Sequence, residues 1–251
     1  MSTNSLITSN TVSAYILPNN TAMSSASSGP ESSPYYIVPF CHEQVGTIYR
    51  DEHLLLINKP AYLLSVPGRA PENKDCAIRR LQQRYPDIRL VHRLDLDTSG
   101  IMVFGLTAFA QSKLSRLFQL RTVKKRYQAI VHGLVEKNAG SIDLPLIADW
   151  PKRPLQKVCH ETGKNALTHY RVLERDIPGN RTRLALSPVT GRSHQLRIHC
   201  RELGHPIIGC DMYAPAEIEA LSPRLLLHAE WLAFNHPLTG LWQEFTSPCP
   251  F

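Results

Sequence analysis

Val91–Gly100, V-H-R-L-D-L-D-T-S-G, constrains this chain more than any other stretch. It sets two carboxylates (Asp95, Asp97), a guanidinium (Arg93), an imidazole (His92) and two hydroxyls (Thr98, Ser99) in a row. The apolar run Gly100–Leu106 follows at once. A run of that length, bounded by polar residues, predicts a buried strand. The charged cluster is therefore expected to rest against a rigid support, where loops leaving strands commonly carry reactive side chains.

The rest of the chain predicts an α+β domain. Ile48–Pro60 reads as a turn at Asp51-Glu52 followed by a buried strand, and Cys76–Tyr85 as a short basic helix ended by Pro86. Thr107–Thr122 has the apolar spacing of an amphipathic helix capped by Thr107. Lys124–Gly133 alternates as a strand, and Asp149–Lys157 is a basic loop stiffened by proline. Strands are expected near Ala166–Arg175, Thr182–Val189 and Leu225–Asn235. Thr190-Gly191-Arg192 reads as a tight turn before a helix that starts at His194, with Ser193 as its cap and Arg197 and Arg201 sharing a face away from the apolar stripe. Strands and helices interleave irregularly, which predicts a mixed, largely antiparallel central sheet with flanking helices and loops. Residues 1–37 are rich in Ser, Thr and Asn and carry Glu31 as their one charge, so they predict a disordered polar tail ahead of a folded domain over residues 38–251.

The net charge of +7 points to an anionic partner, nucleic acid first. The six cysteines form no C-x-x-C pair, which suits free thiols in a reducing compartment. No apolar run long enough to span a membrane occurs and the start lacks a signal-peptide layout, so the expected location is cytoplasmic. Nothing in the sequence calls for an obligate protein partner.

Three chemistries fit the central cluster. An ionised aspartate could act as nucleophile on a sugar or base carbon if an arginine held its charge, and Arg192 on its tight turn is a candidate for that pairing with Asp95. Asp95-Leu96-Asp97 could hold a divalent cation, but no Gly-rich nucleotide loop, H-E-x-x-H or zinc pattern accompanies it. The basic residues could simply coat phosphates, although a pure binder has no use for two carboxylates on its basic face.

H-R-L-D-x-x-T-S-G at His92–Gly100 resembles the RluA family of pseudouridine synthases. Lys125-Arg126-Tyr127 and Thr190–His199 (T-G-R-S-H-Q-L-R-I-H) are similar to further family stretches, supported by Asn58-Lys59-Pro60, Gly163–Tyr170, Gly204-His205-Pro206 and Leu227-His228-Ala229. The resemblance implies the pseudouridine synthase fold, Asp95 as nucleophile, Tyr127 stacked on the target base and Arg192 paired with the aspartate. It also implies Arg93 filling the gap left by a flipped uridine, with His92 and Lys125 at the substrate; for His92 a structural role is the expectation from the residues alone. No cofactor or metal is implied. The Asp149–Cys159 stretch and Ser222–Glu230 resemble the RluA subgroup, which implies two substrates, a transfer-RNA anticodon stem-loop and a large-subunit ribosomal stem-loop. The alternatives are ribosomal RNA alone or a catalytically silent RNA binder. Cys210 stands where the family commonly has aspartate, which puts one local contact in question.

Overall fold

The computed structural model describes residues 36–251, so the polar tail expected over residues 1–37 lies almost wholly outside the described residues. Of the two tail positions that are described, Tyr36 accepts at its carbonyl from the Asn73 side chain (2.7 Å), which also accepts from the amide of Val38, the first residue past the tail (2.9 Å).

In chain order the elements are β1 (Gly46–Arg50), β2 (Leu54–Lys59), α1 (Ala77–Gln82), β3 (Arg89–Leu90), β4 (Ser99–Gly105) and α2 (Ala108–Gln119). Then come β5 (Lys124–His132), β6 (Ala139–Asp143), β7 (Leu146–Ala148), β8 (Gln156–Val158), β9 (Leu167–Asp176) and β10 (Arg181–Pro188). The chain ends with α3 (Gln195–Glu202), α4 (Ala216–Glu219), β11 (Leu227–Asn235) and β12 (Trp242–Thr246). Among the described residues ten strands form one sheet, ordered β1-β2-β4-β11-β5-β10-β9-β6, with β3 also on β4 and β12 also on β11; β7 and β8 form a separate hairpin. Every pairing is antiparallel except β4 with β11. The fold is the mixed, mainly antiparallel α+β arrangement expected.

Strand period explains why the centre is apolar on both sides. In β2, Leu55 and Ile57 point into one cluster with α1, while Leu54 and Leu56 point into another with α2. In β4, Met102 and Phe104 join the first cluster and Ile101 and Val103 the second. A strand covered on both faces reads as a continuous apolar run. The third cluster lies on the β5-β10-β9 half under α3. Helix α2 starts as its spacing predicts, with Thr107 Oγ1 accepting from the Ala110 amide at 3.1 Å.

Some expectations fail at α3. The helix starts at Gln195, His194 sits before it in the left-handed region (φ 56°), and Ser193 caps nothing. Gln195 instead ties the preceding turn to the helix: its Oε1 accepts from the Arg192 amide (3.0 Å) and the Thr190 hydroxyl (2.7 Å), and its own amide donates to the Arg192 carbonyl (3.2 Å). Arg197, expected on a polar face, is 1% exposed because residues 195–200 are buried all round. Strands β1, β6, β7 and β12 had no signal, being short and mostly half-exposed.

The loop between β3 and β4, which carries the central cluster, is stapled at both ends. Ser65 Oγ donates to the Leu94 carbonyl (2.6 Å) and accepts from its amide (3.1 Å). Lys59, fully buried at the end of β2, donates through Nζ to the carbonyls of Pro60 (2.8 Å), Leu63 (2.7 Å) and Leu96 (3.1 Å). His92 Nε2 accepts from the Val103 amide of β4 (3.1 Å), and its ring stacks on Phe118 of α2 with centroids 4.6 Å apart. Gly100 then brings the loop onto β11: its φ is +119°, and a Cβ there would meet the Ala229 carbonyl oxygen at 2.3 Å.

Replacing Gly100 with Ala is therefore expected to cost about 3 kcal/mol or more, from left-handed strain plus the clash with β11. A urea midpoint equal to wild type would rule out that close approach. Lys59 gives a pH test. Burial pulls its pKa from 10.5 down to about 7, against the pull of Asp97 and Asp95 toward the charged form. Above about pH 7 the unfolded chain therefore holds this proton more tightly than the folded chain, and stability rises with pH up to about 10.5. The stability advantage of wild type over Lys59→Met is expected to grow by about 1–2 kcal/mol between pH 7 and about pH 9 in urea unfolding. An advantage that shrinks across that window contradicts the assignment.

Candidate active site

A cavity of about 250 Å³ opens between the β3–β4 loop, β5 and the turn before α3. All six residues singled out in the sequence line it: His92, Arg93 and Asp95 from the loop, Lys125 and Tyr127 from β5, and Arg192 from the turn. The sheet order explains this convergence. Strands β4 and β5 flank β11, and β5 lies beside β10, whose end leads into the turn.

Asp95 is half-buried, and its carboxylate makes no side-chain hydrogen bond or ion pair among the described residues. Its backbone carbonyl accepts from the Thr98 amide at 3.3 Å, so the staples at Leu94 and Leu96 hold its main chain on either side while the side chain stays available. Arg93 is exposed at the mouth. Tyr127 is half-buried on β5; burial, with Asp95 adding to it, holds its phenol above its ordinary pKa, so it stays protonated at neutral pH. Burial, with Arg121 nearby, brings the Lys125 pKa down to about 8, and its Nζ lies 3.5 Å from the Thr190 carbonyl. His92 is neutral, its pKa lowered to about 3 by burial and then by Lys125. Its Nε2 is committed to the Val103 amide, which fits the structural role expected from the residues alone, while the residue also lines the cavity.

The expected pairing of Asp95 with Arg192 is not formed. Gln195 ties down the Arg192 amide, and from that backbone the Arg192 side chain reaches the Asn165 carbonyl instead (Nε to O 3.1 Å). The guanidinium buried behind the central loop is that of Arg197. It lies 3.6 Å from Asp97 Oδ2, pairs with Asp211, and donates through Nε to Cys210 Sγ at 3.2 Å. Burial opposes its charge, but Cys210, Asp211 and Asp97 outweigh that and raise its pKa above the ordinary value. Asp97 is raised in turn, by burial first and then by Asp211, against the pull of Arg197. Its carboxylate is thus turned toward Arg197, and the two-carboxylate cation site has no support here. Cys210 leaves no contact missing, because Asp211 supplies the carboxylate and the sulfur takes the second guanidinium hydrogen.

Sequence reasoning missed Arg197, Lys59 and Ser65. Lys59 had a faint signal, a lysine ending an apolar strand. Arg197 lies inside the family-like stretch Thr190–His199, but its burial gave no signal, because a helix buried on all sides has no polar face to betray it.

The family described as RNA pseudouridylate synthase matches residues 53–202. The dual-specificity RNA pseudouridine synthase RluA of Pasteurella multocida is 52% identical over 204 residues, 81% of this chain and 93% of that protein. Its namesake in Escherichia coli K12 is 51% identical with the same coverage. Among solved structures, human RNA pseudouridylate synthase domain containing 1 superposes with a TM-score of 0.71 at 29% identity, covering 85% of this chain and 86% of that one. Human RNA pseudouridylate synthase domain containing 4 shares the fold, with a TM-score of 0.63. The match across three-fifths of the sequence, and half-identity over most of it, place this chain in the RNA pseudouridylate synthase family.

Proposed function

We propose that this chain converts chosen uridines to pseudouridine in two kinds of RNA loop, a transfer-RNA anticodon stem-loop and a large-subunit ribosomal stem-loop. Residues 38–251 serve as its catalytic domain, in the cytoplasm. The half-identical relatives, named dual-specificity RNA pseudouridine synthases, support two RNA specificities. Among the described residues no helix is long and apolar enough to cross a membrane. The observation that carries the chemical reading is Asp95: a carboxylate with no side-chain partner among the described residues, on a stapled loop, lining a cavity shared with the protonated phenol of Tyr127.

Isomerisation breaks the bond from ribose C1′ to N1 of uracil and makes the bond from C1′ to C5. The C5 proton leaves and N1 takes one up, so no electron is gained or lost. Asp95 is the nucleophile, attacking either C1′ or the base ring. Tyr127 offers its ring for stacking and its hydroxyl for proton traffic. Entry into the cavity needs the uridine out of its stack, at a cost of a few kcal/mol. Arg93, exposed at the mouth, is placed to fill the vacated space and offset part of that cost. Arg192 and Lys125 line the basic wall and act as phosphate or base contacts.

Recognition extends to the β7–β8 hairpin. Trp150 is 65% exposed, and the Arg153 guanidinium lies 3.2 Å from its ring centroid, with Lys152 and Lys157 beside them. Aromatic rings with cations suit the unstacked bases of an RNA loop. The hairpin is fixed next to the cavity by Tyr213, whose Oη accepts from the Gln156 amide at 3.0 Å.

Asp95→Asn is expected to abolish pseudouridine formation on a synthetic anticodon stem-loop while RNA binding persists; retained turnover overturns the reading. Arg93→Ala should slow single-turnover conversion at least about tenfold with an unchanged melting curve, the loss of one charged contact at the flipped state. Trp150→Ala should weaken RNA binding by about tenfold, the worth of one stacked base. Mapping pseudouridine in cellular RNA with and without the protein tests the substrates: loss from ribosomal RNA alone would remove the transfer-RNA assignment.

A further inference from the structure

His194 is the residue of the cavity wall whose backbone is hardest to account for by folding alone. It is one of four residues other than glycine with positive φ among the described residues, and it stands immediately before α3. A left-handed histidine is uncommon and costs about 1–3 kcal/mol, a strain that clusters at functional sites. The surrounding bonds hold it there: its carbonyl accepts the amide of Ile198 at 3.1 Å, the first turn of the helix. Its ring lines the same cavity as Asp95 and Tyr127.

The hydrogen bonds decide which ring nitrogen carries the proton. Tyr213 Oη accepts from the Gln156 amide at 3.0 Å and lies 2.5 Å from His194 Nδ1. Tyr213 is buried, and its hydroxyl hydrogen has no acceptor among the described residues other than that Nδ1. A buried hydroxyl gives its hydrogen to an available acceptor. Nδ1 is therefore the acceptor, and the neutral ring carries its hydrogen on Nε2. Nε2 has no partner among the described residues, and it is not sealed from the cavity as a buried orphan. The charged groups around the ring are Asp95, Arg197, Asp211 and Arg93; burial, opposed by Asp95, keeps the pKa of His194 below its ordinary value.

We propose that His194 is a substrate-contacting hydrogen-bond donor, locked by Tyr213 as the Nε2–H tautomer, whose Nε2–H is given to an acceptor oxygen of the flipped uridine nucleotide. Tyr213 is the positioning residue, acting through His194 while its same oxygen pins the β7–β8 hairpin. An Nε2 that already bears hydrogen cannot take a proton from the base, so His194 orients the nucleotide and leaves proton removal to other groups. The proposal rests on the isomerase reading for the identity of its ligand; the tautomer itself does not.

Nitrogen-15 NMR of the ring in the free protein at neutral pH reads the tautomer directly. A protonated Nε2 with a bare Nδ1 is expected, shifting toward a mixture in Tyr213→Phe; an Nδ1–H ring or a doubly protonated ring in wild type overturns the proposal whatever the activity. The donor is tested by two substitutions on a synthetic anticodon stem-loop RNA. Asn tolerates the left-handed backbone but is too short to put an amide where Nε2 lies, whereas Gln reaches it. His194→Asn should slow single-turnover conversion about tenfold with RNA affinity within about twofold of wild type, and His194→Gln should recover to within about threefold. Wild-type rates in His194→Asn, or a His194→Gln enzyme as slow as it, refute the donor role. Loss of RNA affinity in step with rate does the same, since it marks a folding defect.

Discussion

An ammonium buried among three carbonyls holds the working end of this protein together. Lys59 has three hydrogens to give, and Pro60, Leu63 and Leu96 take them. An unpaired charge in that position would cost several kcal/mol; the three carbonyls and two nearby aspartates offset part of that, and loss of water still draws the pKa down to about 7. Two pulls oppose each other there: loss of water favours the neutral amine, and the carbonyls and carboxylates favour the ion. The contact joins the end of a central strand to the residue following Asp95. Without it the aspartate would ride on a loop free to move, and a reaction needing a carbon within contact distance would lose its fixed geometry.

The two arginines at α3 show how a site divides its charges. Arg197 is enclosed by Asp97, Asp211 and Cys210, and its work is to make the support of the central loop rigid. Arg192, one turn earlier in the chain, is half-exposed and anchored only through a backbone carbonyl. A guanidinium with donors to spare on a cavity wall suits an incoming polyanion. Among the described residues Asp95 has no cation partner, which leaves its carboxylate open to the cavity.

Much of this was legible from residues because the signals are local. The alternation in Leu54–Ile57 and Ile101–Phe104, the cap at Thr107 and the punctuation at Pro86 each follow from a few neighbouring side chains. The motif reading named positions, not distances, and residues 92–95, 125, 127 and 192 do line one cavity. The partner of Asp97 was out of reach, since Arg197 lies a hundred residues away and its burial depends on what packs over every side of α3. The turn at His194 was misplaced for a related reason: Ser193 is a good cap by type, but the chain turns left-handed at His194 and the helix begins one residue later, at Gln195. Edge strands such as β6 and β12 gave no signal because half-exposed strands have mixed faces and lean on their neighbours for order.

The one parallel pairing, β4 with β11, has a consequence for how the molecule is made. Strand β11, close to the C-terminus, lies in the middle of the sheet between two strands from the first half of the chain. Emerging from the ribosome, β4 and β5 have no partner to join them until nearly the whole polypeptide has been synthesised. The edges that face β11 wait unpaired until then, and such late, non-local pairing is of the kind that slows folding. The cavity lined by Asp95 and Tyr127 therefore takes shape last, when the late strand joins the early ones.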